Sequence, residues 1–269
     1  GGADLYPISV CDKPDANYSS TNSCYLGGTT PISFVNLSMN FCNEPNFEQM
    51  PCYVSDSTKF IWSWGDGSND TTTFSWKDTV VHNFNDTGNY IVRLLACNNC
   101  GCDTIEKTIS IFPLPVANFT FDTVCYGSET HFFDSSQVSS NGILISNYNW
   151  SFYENPISQS TLENSNHQFG NPGIFSVQLK ITDSNGCLDS TLKSVLIREL
   201  PDINLTFENA CLGDTNMFFS TDSNSTLNYI WNIDSQTYND DTVSHLYNSC
   251  GIFGYTLNVT DTFGCANDT

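Results

Sequence analysis

Twelve cysteines, four histidines and a few turn aspartates are the residues in this 269-residue chain best suited to chemistry. The densest group is Cys97-Asn-Asn-Cys100-Gly-Cys102. Thiolates this close could hold zinc, but a closed zinc site needs a second Cys/His pair, and none stands at finger spacing. An even number of cysteines, most at recurring positions, points instead to disulfides and an oxidising compartment. Asp66 and Asp70 lie in and beside a Gly-Asp-Gly turn. Their functional reading is a Ca2+ site, which needs several oxygen ligands. The competing reading is a turn aspartate bonded to its own backbone. His82, His167 and His245 each stand two residues before an aromatic, His-x-Phe or His-x-Tyr. That recurrence marks them as packing or turn-bonding residues rather than bases. No Ser/His/Asp set stands apart from the repeats, and no carboxylate pair is marked for glycoside hydrolysis. The expectation is a chain without catalysis and, apart from the Ca2+ reading, without a cofactor.

The bulk composition narrows the partners. With 29 acidic and 8 basic residues the formal charge is −21, which excludes phosphate-backbone recognition and so nucleic acid. It also disfavours docking to an anionic membrane surface. Only 14% of residues are charged, while Asn, Ser and Thr abound, giving the polar, weakly ionic surface of many extracellular β-proteins. Phe 19, Tyr 12 and Trp 5 supply core material, so the chain is not disordered. No run approaches the length of a membrane-spanning helix. The sequence opens at Gly1 and stops in mid-pattern at Thr269, and it is read as a mature or excerpted piece of something longer.

The elements that must position these residues recur. Trp62-Ser-Trp64, Trp150-Ser-Phe152 and Trp231-Asn-Ile233 stand 88 and 81 residues apart. Side chains at i and i+2 share one face of a strand. Each tryptophan is followed by the His-x-aromatic, then by a glycine opening an alternating strand: Gly88–Leu94, Gly173–Ile181 and Gly251–Val259. Strict alternation means one buried face and one wet face. A Gly-Cys turn follows at Cys102, Cys187 and Cys265, and then a last strand in two repeats, 108–111 and 194–197. Upstream of each tryptophan lies Cys-x-Gly: Cys125-Tyr-Gly127, Cys211-Leu-Gly213 and, one residue longer, Cys24-Tyr-Leu-Gly27. Prolines 113, 115 and 201 punctuate the joins. No segment has a capped helix period. Repeats of about 80–90 residues with short strands and frequent turns predict tandem immunoglobulin-like β-sandwiches, all-β. The predicted domains are 1–114, with a Cys-rich N-terminal extension, 115–200, and 201–269, truncated before its last strand. Short proline-bearing joins predict a stiff head-to-tail rod. The third sandwich is expected to have an open edge unless its parent chain or a neighbour supplies a strand.

Trp62-Ser-Trp64-Gly-Asp-Gly-Ser68, followed by His82-x-Phe84 and Gly88-x-Tyr90-x-Val92-x-Leu94, resembles the PKD (polycystic kidney disease) domain, whose signature reads W-x-F-G-D-G, H-x-Y, G-x-Y-x-V-x-L. The first repeat departs in having Trp64 for Phe, and the later two lose Gly-Asp-Gly. The added Cys-x-Gly and Gly-Cys elements are similar to PKD arrays of giant secreted Bacteroidota adhesins, including gliding-motility adhesins of the SprB kind. The resemblance spans nearly the whole chain.

The topology of such a sandwich bears on cysteine pairing. Cys-x-Gly sits between the first two strands, at the C-terminal end of the domain. Gly-Cys sits between the last two, at the N-terminal end. These ends are about 20 Å apart for six-residue strands, while a disulfide needs Cα atoms within about 7 Å. Pairing within a repeat is therefore disfavoured, and clasps between successive domains are expected: Cys24–Cys187 and Cys125–Cys265. Cys211 is expected to pair with Cys250, and Cys11, Cys42, Cys52, Cys97, Cys100 and Cys102 among themselves.

Two glycosylation patterns occur. Asn-x-Ser/Thr occurs ten times, beginning at Asn17, Asn36, Asn69, Asn85 and Asn118, a number that a chain so rich in Asn, Ser and Thr reaches by chance. Asp-Ser/Thr followed by an aliphatic or Thr resembles the Bacteroidota O-glycosylation motif and nominates Thr71, Thr79, Thr104, Thr123, Ser190 and Thr242. The first functional reading is a non-enzymatic, extracellular, structural or adhesive segment of a surface filament or giant adhesin. Its partners would be surface glycans, other proteins and further PKD repeats of the same chain. Two alternatives stay open: an accessory binding array of a secreted hydrolase, and a fibre subunit assembling by strand donation.

Overall fold

A computed structural model of the chain describes residues 13–39, 41–42, 50–51, 58–75, 77–139, 142–208, 211–220 and 226–269. Regular structure among them is entirely β. No helix among the described residues is long and apolar enough to cross a membrane. Two compact units result: residues 1–116 with 138–146 and 182–189, and residues 117–137 with 147–181 and 190–269.

The first unit is built on one sandwich. A three-stranded sheet orders Tyr18–Ser19, Thr30–Asn36 and Thr79–Phe84. A five-stranded sheet orders Ser23–Cys24, Gly101–Phe112, Gly88–Asn98, Lys59–Ser63 and Thr71–Thr73. Alternation decides what is buried: Thr30, Ile32, Phe34 and Asn36 face inward and the residues between them outward. Tyr18, Phe34, Phe60, Trp62, Trp64, Phe84, Val92 and Leu94 close one core. Tyr18–Ser19, Ser23–Cys24 and Thr30–Asn36 are strands of this sandwich. The last strand is much longer than the four residues its sequence suggests, running from Gly101 to Phe112. Its first half alternates between half-buried and exposed, so it carries no apolar period to read.

The second unit holds the core of the second repeat, with Phe119, Phe132, Trp150, Phe152, Phe169, Val177 and Leu179 all buried. It also holds the third repeat, whose core joins Phe218, Tyr229, Trp231, Ile233, Val243, Leu257 and Val259. Here the structure departs from the sequence reading twice. The strand expected to open at Gly251 begins at Tyr255. Gly251 and Gly254 weaken that stretch as a strand, and Ile252 between them is fully exposed. A short last strand, Ala266–Asp268, pairs with Tyr255–Thr260, so that edge is partly covered where an open one was expected.

The Cys-x-Gly segments are also placed more closely than the sequence allows. Ser23–Cys24 and Val124–Cys125 are short strands lying parallel to the end of their repeat's last strand, at Ile111-Phe112 and Ile197-Arg198. The chain then leaves the sheet through the glycine turn. Tyr25 N–H donates to Phe112 C=O (2.7 Å) and Tyr126 N–H to Arg198 C=O (2.8 Å).

Candidate functional site: histidine–carboxylate pairs and cysteine clasps

The Gly-Asp-Gly turn holds the most organised polar group of the first sandwich. Gly65 is there of necessity: its φ is +77°, and a Cβ would stand 2.5 Å from the Ile91 carbonyl oxygen. Asp66 Oδ1 accepts from the Ser68 backbone N–H (3.0 Å) and hydroxyl (2.5 Å). Asp66 Oδ2 lies 2.7 Å from His82 Nε2. Burial raises the Asp66 pKa, but the bonds from Ser68 and His82 outweigh it and hold the carboxyl below its ordinary value. The His82 ring stacks on Trp64 at 4.3 Å and 3° and meets Phe84 edge-on at 4.8 Å. Phe84 in turn stacks on Tyr90 at 4.5 Å.

The same assembly recurs where the sequence signature has faded. In the second repeat His167 Nε2 lies 2.6 Å from Glu154 Oε1. Its ring stacks on Phe152 (4.4 Å) and meets Phe169 edge-on (4.6 Å), which stacks on Phe175 (4.5 Å). In the third, His245 Nε2 is 3.9 Å from Asp234, and Tyr238 takes over the hydrogen bond at Nδ1 (2.8 Å). Tyr247 and Phe253 complete the stack. Glu154 and Asp234 stand four and three residues after their tryptophans, near the position Asp66 holds after Trp62. The glycines are lost and the acid is kept, a relation hidden by the change from Asp to Glu and the one-residue shift.

A second recurring group escaped the sequence reading. Lys107 Nζ lies 4.7 Å over the Tyr18 ring and bonds Asn17 Oδ1 and the Tyr18 carbonyl. Lys193 Nζ lies 4.9 Å over Phe119 and bonds Asn118 Oδ1 and the Phe119 carbonyl. The signal was an Asn-aromatic dipeptide with a lysine in the last strand, separated by some ninety residues in the first repeat and seventy-five in the second.

Each of these arrangements lies within a single sandwich. Asp66 Oδ1 is bonded within the turn and Oδ2 to His82 on the strand Thr79–Phe84, Asp70 is exposed, and no cluster of three or more His, Cys, Asp or Glu assembles among the described residues. Of the O-glycan candidates, Thr79, Thr104, Thr123, Ser190 and Thr242 are exposed. Thr71 is half-buried, its hydroxyl accepting from the Trp64 indole (3.2 Å). Asn36 is buried at 1% exposure, which leaves no room for a glycan.

The cysteines join repeats. In the first unit Cys24 bonds Cys187 (S–S 2.06 Å, Cα–Cα 5.5 Å). In the second unit Cys125 bonds Cys265 (S–S 2.00 Å, Cα–Cα 5.5 Å). Cys187 and Cys265 are buried and sit in one type of turn. Asp183 Oδ1 accepts from Asn185 N–H and Cys187 N–H, both at 2.9 Å. Asp261 Oδ1 does the same for Phe263 and Cys265, both at 2.8 Å. Arg198 stacks over Phe263 at 3.6 Å beside the second clasp. The first repeat has no such turn: Asn98 caps a tight hairpin in which Cys97 bonds Cys102 directly across the strands. Cys100 is disulfide-bonded. Cys11 and Cys52 lie outside the described residues, as does the side chain of Cys42. The expected Cys211–Cys250 bond is a correction: both thiols are free and exposed. Cys250 was expected just before a strand opening at Gly251, whereas it lies in the irregular 248–254 segment.

Three successive matches to the PKD domain family cover residues 46–112, 113–197 and 199–269. The chain belongs to the PKD domain family, as a tandem of immunoglobulin-like sandwiches. No curated protein sequence matches it significantly. Among solved structures it is similar to the PKD1 domain of Vibrio anguillarum Epp (23% identity, 32% of this chain and 95% of that one, TM-score 0.28). Three tandem Ig domains of titin match at 10% identity over 96% of each chain, TM-score 0.42. A 1.5-MDa bacterial ice-binding adhesin matches at 12% identity over 94% of each, TM-score 0.37.

Proposed function

We propose that the chain is a non-enzymatic segment of a secreted surface filament or giant adhesin, serving attachment or gliding through its reach and surface. The observation that carries this reading is the pair of bonds Cys24–Cys187 and Cys125–Cys265, each covalently joining one PKD repeat to the next. A fold stapled between repeats suits a load-bearing array, whereas an accessory module needs no such joints. The recurring polar groups support the same reading, because each closes its own sandwich. The partners are surface glycans or other surface proteins, reached by an acidic, hydroxyl-rich face. O-glycans at the exposed Thr79, Thr104, Thr123, Ser190 and Thr242 belong to this proposal, and an intact mass equal to the disulfide-bonded polypeptide would remove them.

Antibody against the chain, applied to intact cells of the source, tests the main reading. Expected is label on surface threads released by shear. Label found only on a soluble hydrolase, or none at the surface, overturns it.

A further inference from the structure

Cys-x-Gly occurs three times, and in two of them its cysteine already holds the next repeat. Cys24 takes Cys187 and Cys125 takes Cys265, with the same 5.5 Å Cα separation. Cys211 is the third member, and it is free and exposed.

Its turn is already formed. Asp214 N–H donates to Cys211 C=O at 2.9 Å, as Ser128 N–H donates to Cys125 C=O at 3.1 Å. Gly213 and Gly127 both have φ of +90°. The residue after the cysteine is apolar and exposed in both, Leu212 at 60% and Tyr126 at 39%. Around Cys211 the surface is apolar beyond what a sandwich needs: Leu212, Ile252, Phe253, Phe207 and Tyr247 line a cleft of about 460 Å³ with Cys211 and Cys250. Ile252 is fully exposed, the kind of patch that marks a protein contact.

We propose that this face is a docking half-site for a further PKD repeat, which presents an Asp-x-x-Gly-Cys turn whose cysteine bonds Cys211. The occupant is identified by continuity with the clasps already formed: both partners used so far are buried cysteines of that turn, fixed by its aspartate. A second copy of this chain does not present a free one. Cys187 and Cys265 are bonded and buried, and Cys102 is sealed to Cys97 across a different hairpin. The bond forms by thiol–disulfide exchange with a low-molecular-weight disulfide. The Cys211 thiolate attacks it and displaces one thiolate, and the incoming repeat's thiolate then displaces the other. Two protein thiols lose two electrons and two protons, and the oxidant leaves as two thiols. Cys250 is the competitor within the same cleft. This inference holds whether the array is adhesive or serves a hydrolase.

The test continues the chain beyond Cys265 with a copy of residues 188–269 in which the copies of Cys211 and Cys250 are Ser, reproducing the native junction between the second and third repeats one step later. Oxidised glutathione is the oxidant, and non-reducing peptide mapping is the readout. Expected is a peptide joining Cys211 to the appended copy of Cys265, with alkylation of Cys211 falling at least tenfold relative to the unextended chain. A Cys211–Cys250 peptide in either chain overturns the proposal. So does a Cys211 that still alkylates fully in the extended Cys250→Ser variant while the Cys125–Cys265 bond of the same molecule is intact. A further melting transition in the extended chain, absent from the unextended one, is the folding control, and a folded appended repeat with its own copy of Cys265 and the original Cys211 both free is likewise a refutation.

Discussion

The clasps make a mechanical prediction whose size follows from chain length alone. Consider pulling on handles at Leu114 and Thr269, in the native chain and in a Cys125→Ser/Cys265→Ser variant. With the bond intact, the covalent path enters at Cys125 and leaves at Cys265, so the 140 residues of sequence separation never extend. Without it, they do. At about 3.3–3.6 Å per extended residue, the variant releases about 480 Å more contour length. An optical-trap measurement under oxidising conditions reads this directly, and reductant should convert the native trace to that of the variant. Equal contour lengths in the two oxidised proteins would falsify the clasp. A gain near 210 Å, corresponding to a locked segment of roughly 62 residues at the same rise, would mean that Cys125 pairs with Cys187 inside its own repeat. The loop-entropy model gives this crosslink a stabilisation of about 5 kcal/mol against unfolding, as an upper figure. The length change is the sharper test, because it does not depend on that model.

Gly65→Ala and Gly67→Ala should differ although both glycines have positive φ. The first drives a Cβ to 2.5 Å from Ile91 backbone while the second meets nothing within 4 Å, so chemical denaturation should show a loss of more than about 2 kcal/mol against about 1 kcal/mol. Asp66→Asn should cost about 1–3 kcal/mol at neutral pH, since it removes the charge that takes bonds from Ser68 and His82. Because the folded pKa of Asp66 is depressed, its stabilisation is present above the usual carboxylate range and is lost as pH falls through the folded value. Melts from pH 6 down to 3 should therefore lose this contribution in the native protein and not in the variant. Trp231→Ala empties a fully buried site in the third core and should cost that repeat about 3–5 kcal/mol, seen as one early transition while the first sandwich melts unchanged.

Much of the fold was legible because burial writes itself as alternation. Trp62, Trp64, Trp150 and Trp231 were readable as core anchors from their i, i+2 spacing, and all four are buried. The pairing of cysteines was legible at a distance because topology puts Cys-x-Gly and Gly-Cys at opposite ends of a sandwich. What stayed hidden was local. The first half of the strand Gly101–Phe112 has no apolar period, and the segment before Tyr255 is interrupted by Gly251 and Gly254, which weaken it as a strand. Cys250 was misplaced for that same reason. The lysine over Tyr18 and Phe119 joins residues distant in sequence through a ring face, an interaction that leaves no periodic trace.

The fading of Gly-Asp-Gly through the repeats separates what the turn is for from how it is spelled. The glycines belong to one backbone solution, in which the chain passes within contact of Ile91. The acid belongs to the histidine. A His ring stacked on Trp64 or Phe152 and met at a right angle by Phe84 or Phe169 is packed among aromatics, so its ring nitrogens need partners. Asp66 and Glu154 supply one from different backbones and different side-chain lengths. In the third repeat Asp234 is too far, Tyr238 bonds Nδ1, and Nε2 is left buried without a hydrogen bond. The third sandwich is therefore the one whose stack is least satisfied. It is also the one that carries the apolar cleft and the free Cys211. If docking at that cleft orders the Tyr247–Phe253 stack, the clasp and the histidine are coupled, and closing Cys211 onto a further repeat should raise the third repeat's own melting transition. A transition unmoved by that bond would separate the two.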